Sequence, residues 1–257
     1  MLLVIDIGNT NITLGLYSGD QLGPRWRLAT AHDRMPDEYG LQFLGLLAHD
    51  GIDLGQFDGI CLASVVPSLT GKIGETCRRY LGQEPLVVGA GVKTGVRIRV
   101  DYPQTVGADR VADAAAVKHL YGGPACVVDF GTATTFDAVS AEGDYLGGAI
   151  APGIGISAEA LFTRTAQLPR VDLLRPPSVI GRSTVHAMQS GLIFGYTGLV
   201  EGMVSRFRAE LGPEMKVIAT GGLAETIAQE TSAIQIIAPW LTLEGLRVIW
   251  ELNQKKN

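Results

Sequence analysis

Val4-Ile5-Asp6-Ile7-Gly8-Asn9-Thr10-Asn11-Ile12-Thr13 reads as a buried strand, a tight glycine turn and the start of a second strand. From Leu2 to Ile7 only Asp6 is polar, which suits a strand covered on both faces. A carboxylate at the end of such a strand is costly to bury without a partner. Asp6 is therefore expected to face a cleft and meet a cation or a water. Gly8 lets the backbone turn, while Asn9, Thr10, Asn11 and Thr13 supply amide and hydroxyl donors. Two readings fit this stretch. One is a site for a phosphate chain carrying its metal ion; the other is an ordinary hairpin with a turn-capping Asp or Asn.

The same element recurs later. Val127-Val128-Asp129-Phe130-Gly131-Thr132-Ala133-Thr134-Thr135 lines up with Val4 to Ile12, and Asp129 follows Asp6 by 123 residues in a chain of 257. After the first copy the pattern predicts a strand over 25–30, helices over 37–49 and 67–81, and strands over 59–66 and 85–88. A looser segment, 89–106, leads to a helix over 109–120 stopped by Gly122-Gly123. After the second copy come strands over 134–140 and 145–150, then a helix over 156–162. An ordered loop, a long helix over 185–211, a strand over 216–220, a short helix, a strand over 234–237 and a closing helix over 243–252 follow. Three strands, helix, strand, helix, strand is the build of a ribonuclease-H-like domain. The expected fold is α/β: two such domains, each a mixed five-stranded sheet with helices, divided as 1–117 and 118–257 and facing each other across a nucleotide cleft.

Composition excludes several classes of function. Hydrophobic residues are 46% and charged residues 18%, which is globular rather than disordered. A net charge of −5, with basic pairs only at Arg78-Arg79 and Lys255-Lys256, argues against nucleic-acid binding. No targeting peptide or apolar run long enough to span a membrane is evident. Cys61, Cys77 and Cys126 are odd in number and far apart, without ligand spacing, so a reducing, cytoplasmic setting is expected.

Two carboxylates on equivalent strands, each followed by glycine and donors, form a clamp for a nucleotide. Asp6 cannot touch phosphate directly, because like charges repel, and would act through Mg²⁺ or water. Gly221-Gly222 is either a backbone platform for adenosine or a plain strand-to-helix turn. No P-loop is present. The pattern resembles the actin-like ATPase and sugar-kinase superfamily.

At Gly107-Ala108-Asp109-Arg110 the resemblance narrows to the type III pantothenate kinases. The matching motifs are Asp6-x-Gly8-Asn9-Thr10, Gly107 to Arg110, Asp129 to Thr135, Gly147-Gly148-x-x-x-Pro152-Gly153, Leu168-Pro169, Gly181-x-x-Thr184, Ala187 to Gly191 and Gly221-Gly222. They run in order along nearly the whole chain. The resemblance implies ATP-dependent phosphorylation of pantothenate to 4′-phosphopantothenate, the first step of coenzyme A synthesis, in a homodimer; composition adds the expectation of a cytoplasmic protein that binds neither nucleic acid nor membrane.

By that resemblance, Asp109 is the base that accepts the hydroxyl proton; read from the residues alone, its place at the helix start makes it a helix N-cap first. Gly107, Ala108, Asp109, Arg110 and Thr184 are expected to bind pantothenate. Arg110 offers a planar fork to a carboxylate or phosphoryl oxygen, or else makes a surface ion pair. Thr184 is expected to hydrogen-bond the substrate, to cap the long helix, or both. Asp6, Ile7, Gly8, Asn9, Thr10, Asn11, Ile12, Thr13 and Thr132 are expected at ATP. Asp129 is expected to hold a monovalent cation, K⁺ or NH₄⁺, although the sequence alone also allows Mg²⁺ through water. Asp113 reads as structural. The small residues of 185–211 suit close packing inside one subunit or against a second. Members of the family often carry an aromatic seven residues before Gly107. Here Val100 stands there, so either Tyr102 substitutes or the pocket wall is thinner.

Overall fold

The computed structural model describes residues 1–254, so the Lys255-Lys256 pair lies outside the described residues. The chain runs β1 (Leu2–Ile7), β2 (Asn11–Ser18), β3 (Gln21–Ala29), α1 (Pro36–His49), β4 (Gly59–Ser64), α2 (Pro67–Tyr80), β5 (Leu86–Val87) and α3 (Ala108–Leu120). It continues through β6 (Ala125–Phe130), β7 (Ala133–Val139), β8 (Tyr145–Pro152), α4 (Ile154–Thr163), α5 (Thr184–Leu211), β9 (Lys216–Gly221), α6 (Ala224–Ala228), β10 (Ile236–Ile237) and α7 (Leu241–Asn253).

The two expected mixed sheets are present, each of five strands. One has the order β3-β2-β1-β4-β5, the other β8-β7-β6-β9-β10. Element for element these are the same sheet. In each, the opening strand pairs antiparallel with the next strand and parallel with the fourth. The two equivalent central strands, β1 and β6, carry Asp6 and Asp129.

In the first unit, alternate residues Leu3, Ile5 and Ile7 of β1 enter one core. They meet Tyr39, Phe43 and Leu47 of α1 and Leu69, Ile73 and Cys77 of α2, both sets at helical i, i+4 spacing. Pro at the first position starts both helices, where its missing N–H costs nothing. In the second unit Val128, Phe130 and Phe136 pack with Leu192, Val200 and Val204 of α5.

The division of the chain differs from a single cut at 117/118. Unit one comprises Met1–Arg97, Asp101–Tyr121 and the C-terminal segment from Leu241; unit two comprises Ile98–Val100 and Gly122–Trp240. Helix α7 buries Leu243, Leu246 and Ile249, and it packs on α3, β1 and β4 of the first unit. Thr242 Oγ1 donates to the buried Asp113 Oδ1 at 2.8 Å, which joins α7 to α3 and gives Asp113 the structural role expected of it. In unit two, Ile98 forms a parallel bridge with Tyr145, and Arg99 pairs with Asp144 at 2.6 Å. Among the described residues no helix is long and apolar enough to cross a membrane.

Candidate functional site

In each unit the candidate aspartate and its turn lie at the carboxyl ends of the parallel strands, the end where open α/β sheets place ligands. In unit one Asp6 is half-buried and stands in register with Thr13 on β2 and Ala63 on β4. The turn beyond it is held by its own backbone. Gly8 N donates to Asn11 O at 2.9 Å, Thr30 Oγ1 to Gly8 O at 2.7 Å, and Thr30 N to Thr10 O at 2.9 Å. Asn9, Thr10 and Asn11 are left exposed on a braced loop. Ile7 and Ile12 differ from their neighbours: both side chains are wholly buried, so only their backbone can serve a ligand.

Val65 connects this turn to the start of α3. Its N–H donates to Ile7 O at 3.1 Å, and its Cγ1 would lie 3.2 Å from a Cβ on Gly107. Gly107 is the N-cap of α3, without a side-chain cap. The N-cap reading of Asp109 is therefore corrected, because Asp109 sits inside the first turn. It nevertheless serves that turn, since its Oδ1 accepts from Arg110 N at 2.8 Å. A Cβ on Gly107 would collide with that same Oδ1, so the glycine makes room for the carboxylate. Asp109 and Arg110 are both half-buried.

In unit two Asp129 is in register with Thr135 on β7 and Thr220 on β9. Its carboxylate occupies a cradle made by two glycines. A Cβ on Gly221 would strike Asp129 Oδ1, and one on Gly131 would lie 3.4 Å from Oδ2. Thr132 is exposed at the tip. A Cβ on Gly153 would collide with Thr132 O, so this glycine lets the start of α4 approach the turn. That is the spatial reason for the Pro152-Gly153 motif.

The two turns are not identical. Ile7 pairs with Ile12, leaving four residues between, whereas Phe130 pairs with Thr134, leaving three. The position-by-position alignment of the repeat therefore holds to the glycine and then shifts by one, so Thr135 corresponds to Thr13.

Thr184 is the exposed first residue of α5, but the cap is Ser183, whose side chain accepts from His186 N at 3.2 Å. The capping reading of Thr184 is corrected on that ground. Gly181 lies against the Ala187 backbone, bracing the first turn of α5. The contacts described here tie Thr184 to α5 alone. Val100 faces Gly147, with its Cγ1 3.6 Å from where a Cβ would stand, while Tyr102 is 66% exposed. Gly191, Gly195 and Gly198 on α5 have no atom within 4 Å of an added Cβ, apart from the helix's own nearby backbone. Among the described residues, these three glycines make no close packing contact on the side a Cβ would occupy. Past Gly221-Gly222, a hollow of about 360 Å³ is lined by Glu225, Ala228, Gln229, Ile237 and Pro239.

One group was missed from the sequence. Asp137 on β7 is fully buried and accepts from Tyr145 Oη at 2.8 Å and Thr135 Oγ1 at 3.0 Å.

Comparison with known proteins agrees with this layout. The family model described as type III pantothenate kinase matches residues 2–206. A Moorella thermoacetica protein named type III pantothenate kinase is 54% identical over 253 residues, covering 98% of this chain and 100% of that one. A Roseiflexus sp. protein of the same name is 55% identical over 254 residues, with 99% and 100% covered. The solved inorganic polyphosphate/ATP-glucomannokinase of an Arthrobacter sp. superposes with a TM-score of 0.51 at 16% identity, covering 98% of this chain and 99% of that one; that likeness concerns the fold.

Proposed function

This chain belongs to the type III pantothenate kinase family, and from that premise we propose how its residues divide the work. The reaction is phosphorylation of pantothenate by ATP, in coenzyme A biosynthesis. The acceptor hydroxyl must lose a proton as it attacks the γ-phosphorus. Asp109 is the general base. The observation that carries this assignment is the pairing of Gly107 with Asp109: the glycine makes the space the carboxylate fills, and the Arg110 N–H holds one of its oxygens. The carboxylate is assigned to the substrate hydroxyl. Arg110 is assigned to the pantothenate carboxylate or a phosphoryl oxygen, and Thr184, relieved of capping by Ser183, to a hydrogen bond with pantothenate.

The braced turn Gly8 to Thr13 and the exposed Thr132 are assigned to the ATP phosphates, with Ile7 and Ile12 contributing backbone only. Asp6 is assigned to Mg²⁺ through water; the ion would neutralise charge on the phosphates. Asp129 is assigned to a monovalent cation. Its glycine cradle and hydroxyl neighbours form a hard-oxygen donor set suited to an alkali ion. The chain is read as a cytoplasmic homodimer. The exposed Val179 (67%) and Ile180 (82%), just ahead of α5, support a second copy on that side.

The test is Asp109→Asn. The variant should still bind ATP, while formation of 4′-phosphopantothenate, followed by mass, should fall by about 10²–10⁴-fold. A variant that turns over at the wild-type rate would remove Asp109 from the role.

A further inference from the structure

We propose that Thr135 is a ligand of the cation beside Asp129, and that Asp137 is a positioning residue that sets the Thr135 hydroxyl for that task. This rests on the reading of Asp129 as a cation-binding carboxylate and extends it to Thr135, the last residue of that motif, and to Asp137 beyond it.

Asp129 and Thr135 stand directly opposite on antiparallel strands, so their side chains share a face with Cβ atoms about 4.5–5.5 Å apart. Thr135 is half-buried, and its Oγ1 donates to Asp137 Oδ2 at 3.0 Å. Asp137 lies two residues further along the same strand, hence on the same face, and is fully buried. Its other oxygen accepts from Tyr145 Oη at 2.8 Å. A hydroxyl has one proton and two lone pairs. With the proton committed to Asp137, Thr135 offers its surroundings only lone pairs. An acceptor held on the same face as a carboxylate suits a cation placed between them.

The first hairpin provides the contrast. Thr13 opposes Asp6 as Thr135 opposes Asp129, but two residues beyond Thr13 stands Gly15 rather than an acid. On the other side Ala63 adjoins Asp6 where Thr220 adjoins Asp129. Of two hairpins built on one plan, only the second surrounds its carboxylate with hydroxyls and backs one of them with a buried acid. That asymmetry matches one hairpin serving a directly held cation and the other not.

The experiment follows the melting temperature of the full-length protein with ADP and Mg²⁺ as KCl replaces choline chloride at constant ionic strength, which gives a half-saturating K⁺ concentration without measuring turnover. Thr135→Ser, which keeps the hydroxyl, should match wild type. Thr135→Val should raise the half-saturating K⁺ by about 10-fold or more, and Asp137→Asn by about 10–100-fold. In Asp137→Asn the amide would donate to Thr135 and turn its proton toward the cation. Unchanged half-saturation in both Thr135→Val and Asp137→Asn, with any loss of melting temperature equal in choline and in K⁺, would make the network structural and overturn the inference. If Asp129→Asn abolishes the K⁺ response while Thr135→Val behaves as wild type, this inference falls and the reading of Asp129 stands. A wild-type protein indifferent to K⁺ would overturn both.

Discussion

Gly221 lies against the carboxylate of Asp129 so closely that a methyl group on the glycine would strike Oδ1 and the Phe130 backbone, and its φ of +88° is a conformation that side chains disfavour. Gly221→Ala should therefore displace the carboxylate as well as strain the turn. A loss of roughly 1–3 kcal/mol in urea unfolding is expected, with a weakened K⁺ response. A variant as stable and as K⁺-responsive as wild type would show that the cradle is not needed.

Ser183 caps α5, and the proposed substrate contact of Thr184 can be tested apart from that cap. Ser183→Ala removes the oxygen that accepts from His186 N, and should cost about 1 kcal/mol of stability with little change in the KM for pantothenate. Thr184→Val should do the reverse, raising that KM and leaving the unfolding midpoint near wild type. Equal effects of the two variants on KM would remove Thr184 from the substrate.

The α3–α7 tie rests on Thr242 Oγ1 and the buried Asp113. Thr242→Val leaves part of a buried carboxylate without its hydroxyl donor, so roughly 1–3 kcal/mol should be lost in urea unfolding. An unchanged unfolding midpoint would mean that α7 is held by its apolar face alone.

Much of this architecture was legible in the sequence because hydrophobic period and turn chemistry are local. Asp-x-Gly after a buried run appears twice, and both copies fold into the same hairpin in the same strand order. What was not legible depended on tertiary partners. The amphipathy of α7 says which side it buries, not which sheet receives it, so a helix at the end of the chain was assigned to the wrong half. Residues 98–100 lie in the alternating run Val96-Arg97-Ile98-Arg99-Val100, whose period suits a strand, but nothing local names Tyr145 as the partner that Ile98 bridges. Asp137 reads as a solvent-facing residue of an alternating strand, and hydroxyl donors from Thr135 and Tyr145 help to support its burial. The one-residue shortening of the second turn lies where no period operates, and only strand register exposes it.

Burial pushes the thiols of Cys61, Cys77 and Cys126 up to about 12. In the unfolded chain each ionises near 9, so between these limits the unfolded state holds fewer protons than the folded one. The stability the thiols contribute is fully present below pH 9 and falls as pH rises toward 12, by about 1.4 kcal/mol per pH unit for each thiol. Urea midpoints should drop from pH 8 to pH 10, less so in a variant with all three changed to Ala. At pH 8 a thiol-specific reagent should label the native protein only as fast as it opens. Immediate labelling without unfolding would contradict their burial.

The central claim is that ATP is spent on one acceptor, and the most direct measurement is the stoichiometry of that coupling. With ATP, Mg²⁺ and K⁺ present, ADP release should be negligible until pantothenate is added, and should then match 4′-phosphopantothenate one for one by mass. ADP release that proceeds at the same rate without pantothenate, or that yields free phosphate in place of the phosphorylated acceptor, would contradict the account.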